Sequence, residues 1–170
     1  MVVLTPNELN KFPQHRHMTY ANHVNGLHIV IRCIKNNKYA NRKLSEKLFT
    51  YPTSSKNNIL SFIDLYLLSS RIIQKYRINL IIVGNPFGDA LIGYILKLKY
   101  KIPICVGMFG DYAFNPIWQK EKLKHYFVSK LAHFIFSRAD SIRVISPHVK
   151  DLLIKKLKVP SQRIFVAQVF

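Results

Sequence analysis

Acidic residues are scarce in this chain. Eight Asp and Glu stand against 26 Lys and Arg in 170 residues, a formal charge of +18. That surplus exceeds what solubility needs and favours anionic partners such as membrane headgroups, phosphates or nucleic acid, without choosing among them. Cysteine is rarer still: Cys33 and Cys105 sit inside apolar runs and not in a C-x-x-C. This argues against a disulfide framework or a thiolate metal site, and for buried thiols in a reducing, cytoplasmic compartment. The six glycines are scattered, none in G-x-G-x-x-G or G-x-x-x-x-G-K spacing, which argues against a complete dinucleotide enzyme or a P-loop ATPase. There is no G-x-S-x-G elbow, and Ser146 before Pro147 reads as a helix cap rather than a nucleophile. No apolar run approaches the ~20 residues of a membrane span. Met1 to Leu4 is interrupted too soon, by Thr5, Pro6, Asn7 and Glu8, to start a signal peptide.

What the chain does have is an α/β alternation. Its central stretch is Asn79-Leu80-Ile81-Ile82-Val83-Gly84-Asn85-Pro86-Phe87-Gly88-Asp89. Four consecutive apolar residues stopped by Gly, Asn and Pro predict a strand buried on both faces, hence a parallel sheet. Gly88-Asp89 then opens an apolar helix, with Asp89 as its expected cap.

Before this stretch, Met1 to Leu4 suggests a first strand and residues 6–17 a polar loop. His15 and His17 there admit a metal or phosphate reading, but no third ligand accompanies them and a solvated basic loop is favoured. Residues 26–34 predict a strand, 38–47 a basic segment and 48–51 a weak strand closed by Pro52. From about Ile59 to Tyr76 the pattern predicts a well-buried crossover helix with Ser54, Ser55, Asn57 or Asn58 as cap. After the centre come a strand at 102–108, a loop at 109–116 and a helix at 117–138. That helix places Leu123, Tyr126, Phe127, Leu131, Phe134 and Ile135 on its core face and its lysines in solvent. A strand at 141–145, a helix at 148–157 and a last strand at 163–169 complete the order. The prediction is one Rossmann-like domain, a doubly wound, mainly parallel sheet with helices on both faces and one core.

The stretches INLIIVGNPFGDALIGYILKLKYKIPICVGMFGDY and SRADSIRVISPHVKDLLIKKLKVPSQRIFVAQ together resemble the N-terminal domain of GT-B glycosyltransferases of family 4. The shared marks are SRAD before a strand, VIS ending it, the helix after that serine, and PSQRI before the last strand. The resemblance implies an acceptor-side domain in polysaccharide biosynthesis, acting on a glycan or lipid-linked acceptor. It also implies a second, nucleotide-sugar-binding domain with no counterpart in residues 1–170, so that the chain is truncated or split, inactive alone, or completed by another polypeptide in trans. No cofactor or metal is expected beyond a nucleotide-sugar donor supplied with that second domain.

Two departures from the family pattern stand out. Pro6 to Asn10 lacks the paired glycines usual near the donor phosphates, and Phe109 precedes Gly110-Asp111 where many relatives carry a histidine that can hydrogen-bond. The candidate rim is Asn85, Phe87, Asp89, Gly110, Asp111, Tyr112 and Ser146, all beyond strand carboxyl ends, where open α/β sheets bind ligands. Asp111 is the catalytic candidate. The others are substrate-binding candidates, Phe87 and Tyr112 by stacking on a sugar face; ordinary turn chemistry remains the alternative for each. The basic surface fits peripheral attachment at the inner, anionic face of a membrane. A nucleic-acid module is disfavoured because the aromatics lie at core spacing and do not interleave with the charges.

Overall fold

A computed structural model describes residues 2–4, 14–34 and 41–167. They fall into two compact units, within Met1–Asn79 and within Leu80–Phe170. The first holds β1 (Val2–Leu4), α1 (Gln14–Asn22), β2 (Leu27–Ile31), β3 (Arg42–Ser45), β4 (Leu48–Pro52) and α2 (Asn58–Tyr76). Its strands run in the order β3-β4-β2-β1. The pairs β1/β2 and β2/β4 are parallel and β3/β4 is antiparallel.

All five residues of β2 are buried, as its unbroken apolar run requires. Ile29, Ile31, Cys33 and Leu48 form a core with Ala21 of α1. Pro52 ends β4, where a proline costs the ladder least. The next residue closes the strand ends: Thr53 N donates to Ile31 O at 2.8 Å, and its hydroxyl exchanges bonds with the backbone of Cys33 at 2.8 and 3.1 Å.

Three expectations for this unit need correction. The loop predicted through His17 is helical from Gln14, and His17 is buried rather than solvated. That helix buries His17 and Ala21, four residues apart, and imidazole does not register as apolar in a periodicity. The basic segment contains β3, which is held by pairing and by Lys43 lying 5.9 Å over the Phe49 ring, with little burial. Helix α2 starts at the expected Asn57 cap, whose side chain takes the Leu60 N–H at 2.9 Å, but it is only half buried. Its inner face is Ser61, Leu65, Ser69, Ile72 and Ile73, while Ile59, Ile63 and Leu67 are exposed. The remaining expectations for residues 5–13 and 35–40 lie outside the described residues.

The second unit holds β5 (Ile81–Val83), α3 (Gly88–Tyr100), β6 (Ile104–Met108), α4 (Pro116–Glu121), α5 (Leu123–Arg138), β7 (Ser141–Val144), α6 (Pro147–Leu157) and β8 (Ile164–Val166), with short 3-10 turns at Tyr112–Phe114 and Ser161–Arg163. The four strands are parallel in the order β5-β6-β7-β8, as the alternation predicts. Gln168 and Val169, predicted to extend β8, lie outside the described residues. Helix α3 packs closely because Gly93 faces the sheet: a Cβ there would come within 2.8 Å of Val83 and 2.9 Å of Ile104.

The long helix expected over 117–138 is two. Lys122 is extended (φ −147°, ψ 140°), and His125 folds back so that its Nδ1–H donates to Trp118 O at 2.9 Å. The core face of α5 is Ser129, Ala132, Ile135 and Phe136, while Leu123, Tyr126, Phe127 and Phe134 point outward.

The SRAD segment serves the fold. Asp140 accepts the Ile104 N–H at 2.7 Å and pairs with Lys97 at 2.8 Å, while Lys97 also donates to Arg138 O at 2.8 Å. Burial raises the Asp140 pKa, but the Lys97 and Ile104 bonds outweigh that and hold its carboxyl below the usual range. Charge-assisted bonds of this kind contribute about 1.5–3 kcal/mol. Asp140→Ala is therefore expected to destabilise the chain by about that amount in urea unfolding, and an unchanged midpoint would show that the clamp is idle.

In the first unit His28 is buried, stacked on Phe49 (5.0 Å) and tilted against Tyr76 (4.2 Å), with Nδ1 3.1 Å from the Tyr51 hydroxyl. Burial lowers its pKa from 6.5 to about 4. The unfolded chain takes up a proton that the folded chain refuses, so this contribution is complete above pH 6.5 and is lost as the pH falls toward about 4. His28→Phe keeps a ring in the stack and cannot titrate. It is expected to flatten part of the fall in Tm across that window, and identical slopes for the two proteins would refute the assignment.

Candidate functional site

Strands β5, β6 and β7 end in loops at one carboxyl edge of the second unit. After β5, Asn85 Oδ1 accepts the Phe87 N–H at 3.1 Å and its amide reaches Asp89 at 3.5 Å. Helix α3 is capped at Phe87, with no side-chain bond, and Asp89 lies buried inside the first turn rather than at the expected cap position. After β7, Ser146 Oγ accepts the Val149 N–H at 3.3 Å with Pro147 in first helical position, the predicted cap. All three polar candidates, Asn85, Asp89 and Ser146, therefore have a structural engagement.

The loop after β6 differs. Asp111 is exposed and precedes the 3-10 turn without capping it through its side chain, although its carbonyl accepts the Phe114 N–H at 2.7 Å. Tyr112 is half-buried, and burial raises its hydroxyl pKa against the lowering effect of a bond with the Phe109 backbone. Its ring lies 5.4 Å from Phe87 and 5.8 Å from Trp118. Trp118 in turn stacks on His125 at 4.2 Å, nearly parallel. Gly110 permits this close approach, since a Cβ there would meet the Tyr112 ring at 3.0 Å. Phe109 stands exposed beside them. The structure thus brings Phe87, Gly110 and Tyr112 into one aromatic ledge, with the exposed Asp111 next to Tyr112 in the chain, an arrangement suited to hydroxyl-rich, ring-shaped ligands.

The sequence reading missed Trp118, His125, Ser129 and His133. They were read as parts of one core helix, although Asn115-Pro116 is a legible helix start: the Asn115 side chain accepts the Ile117 and Trp118 N–H groups at 2.9 and 3.3 Å. The loop is fixed from behind by the Ala113 carbonyl, which accepts from Ser129 Oγ (2.6 Å), Gln119 Nε2 (2.9 Å) and His133 Nε2 (2.9 Å). Burial lowers the His133 pKa, and accepting oxygen opposite Nε2 fixes the neutral tautomer with its proton there. Among the described residues no group of three His, Cys, Asp or Glu is placed to hold a metal ion.

Residues 9–168 match the family described as Glycosyltransferase Family 4. The chain belongs to glycosyltransferase family 4. Among solved structures, this family 4 chain is similar to sucrose-phosphate synthase from Thermosynechococcus elongatus, with a TM-score of 0.70 and 12% identity, covering 98% of this chain and 47% of that one. It is also similar to UDP-N-acetylglucosamine 2-epimerase from Rickettsia bellii (TM-score 0.62, 15% identity, 99% and 44% covered). A third is the lipopolysaccharide outer core galactosyltransferase WaaB (TM-score 0.58, 17% identity, 99% and 45% covered). At these identities the likeness is one of fold, the Rossmann-like α/β class, and the chain spans under half the length of these three structures. No curated protein matches the chain. Family membership makes it a sugar-transfer-related domain.

A hydrogen bond of this kind contributes about 1 kcal/mol, so the two bonds from Ser129 and His133, about 2 kcal/mol together, govern the loop's local opening by roughly thirtyfold. Ser129→Ala with His133→Phe is expected to speed exchange of the Phe114 amide by about that factor while the amides of β6 stay protected. Unchanged exchange at Phe114 would mean that the carbonyl does not anchor the loop.

Proposed function

We propose that the chain is the acceptor-side half of a glycosyltransferase that moves a sugar from a nucleotide-sugar to a glycan or lipid-linked acceptor. The ledge of Phe87, Tyr112 and Trp118 with the exposed Asp111 carries this reading. Rings that pack tilted or stacked against one another present an apolar surface to a sugar, and the exposed carboxylate next to Tyr112 in the chain accepts from its hydroxyls. Asn85, Asp89, Gly110 and Ser146 shape the rim around them. The donor diphosphate develops negative charge as it leaves and needs positioned donors or cations. In this reading those groups belong to a second domain, supplied in cis or by another polypeptide, and the completed enzyme works peripherally at the cytoplasmic face of a membrane.

Residues 1–170 alone are expected neither to transfer nor to hydrolyse nucleotide-sugars above background. On a glycan array they are expected to retain carbohydrate binding that Tyr112→Ala weakens at least about tenfold, the loss of one stacked ring. Turnover abolished by Asp111→Ala would show this half to be an enzyme in itself. Binding indifferent to Tyr112 and Asp111 would remove the acceptor reading.

A further inference from the structure

Outside the rim, the most unusual surface is the outward side of α4 and α5. Ile117 is 74% exposed, Leu123 75% and Phe127 61%, with Tyr126 and Phe134 less so. Leu123, Phe127, Lys130 and Phe134 follow one another at helical spacing on α5, opposite its buried serine and alanine face. Cations are laid into this stripe: Lys130 lies 5.3 Å over the Tyr126 ring and Arg138 4.0 Å over Phe134. Lys120, Lys122 and Lys124 are also exposed, and Glu121 is the single carboxylate between residues 112 and 139. No described helix is long and apolar enough to cross a membrane.

We infer that this face seats the protein on an anionic lipid bilayer, with Ile117, Leu123 and Phe127 entering the headgroup boundary and Lys124, Lys130 and Arg138 meeting lipid phosphates. An exposed apolar stripe such as that on α5 marks an interaction site. Its lysine border, almost free of carboxylates, complements a polyanionic surface. Nucleic acid is the poorer occupant because the most exposed side chains, Ile117 and Leu123, are aliphatic and offer bases nothing to stack on. The inference deepens the proposed membrane-peripheral reading and rests on it for its purpose, a lipid-linked acceptor, though not for its geometry.

The test is co-sedimentation of the 170-residue chain with vesicles of phosphatidylcholine, alone or mixed with phosphatidylglycerol. Leu123→Ser/Phe127→Ser and Lys124→Gln/Lys130→Gln serve as variants, all at exposed positions that leave the core intact. The native chain is expected to prefer the anionic vesicles. The serine pair should lose about tenfold or more in affinity, and the glutamine pair should lose about as much together with part of the salt dependence. A Phe127→Cys protein carries a polarity-sensitive fluorophore at that site alone, because Cys33 and Cys105 are buried, and its emission should rise and shift to the blue on anionic vesicles. Vesicle binding unchanged in the serine pair, with no emission shift, would overturn this face while leaving membrane attachment standing. No vesicle binding by the native chain, or tighter binding of single-stranded nucleic acid through the same residues, would overturn the inference and the membrane-peripheral reading together. The glycan array reports on the acceptor reading separately.

Discussion

A parallel strand must leave the sheet at the same edge as its neighbours, and this constraint gathers the candidate rim of the second unit. β5, β6 and β7 all exit at their carboxyl ends, where the backbone groups of turns and helix starts need partners. Most polar side chains at that edge are therefore taken. Asn85 serves the turn after β5, Asn115 the start of α4, and Ser146 the start of α6. The loop after β6 is bound from behind by α4 and α5 through the Ala113 carbonyl. Its front is consequently spared, and Asp111 keeps its carboxylate exposed.

The parallel sheet was legible because its strands are short, β-rich apolar runs ended by Gly, Asn or Pro, and because a serine before a proline has one common meaning at a helix start. Asp111, Tyr112 and Phe87 were legible as positions beyond strand ends, a consequence of topology alone. The ledge as an assembly was not. Trp118 and His125 meet only because Lys122 is extended, and nothing in Lys-Leu-Lys announces a break. Helix α1 was hidden by carrying its contact with the core on His17, and β3 by owing its place to pairing rather than to burial.

The inverted reading of α5 has a distinct cause. Pattern reasoning assigns apolar side chains inward, but close packing also rewards small ones: Ser129 and Ala132 let α5 approach its neighbours, and Ser61 and Ser69 do the same for α2. With 49% of the residues hydrophobic, the sequence holds more large apolar groups than its inner faces accept. The surplus is concentrated on particular helices, and its arrangement beside cations separates α5 from a merely greasy surface.

Three of the few carboxylates are engaged by the fold. Asp140 is tied to Lys97 and Ile104, Asp64 takes the Ser55 hydroxyl, and Asp89 is buried. The surface is left as a field of nearly one sign, and its self-repulsion presses against the compact state. Mobile ions then act on this molecule in two opposed senses. By shielding like charges from one another they relieve the folded chain, and by shielding them from the proposed lipid surface they weaken the attachment inferred there. The conditions in which the chain is most comfortable alone are those in which it is least attached.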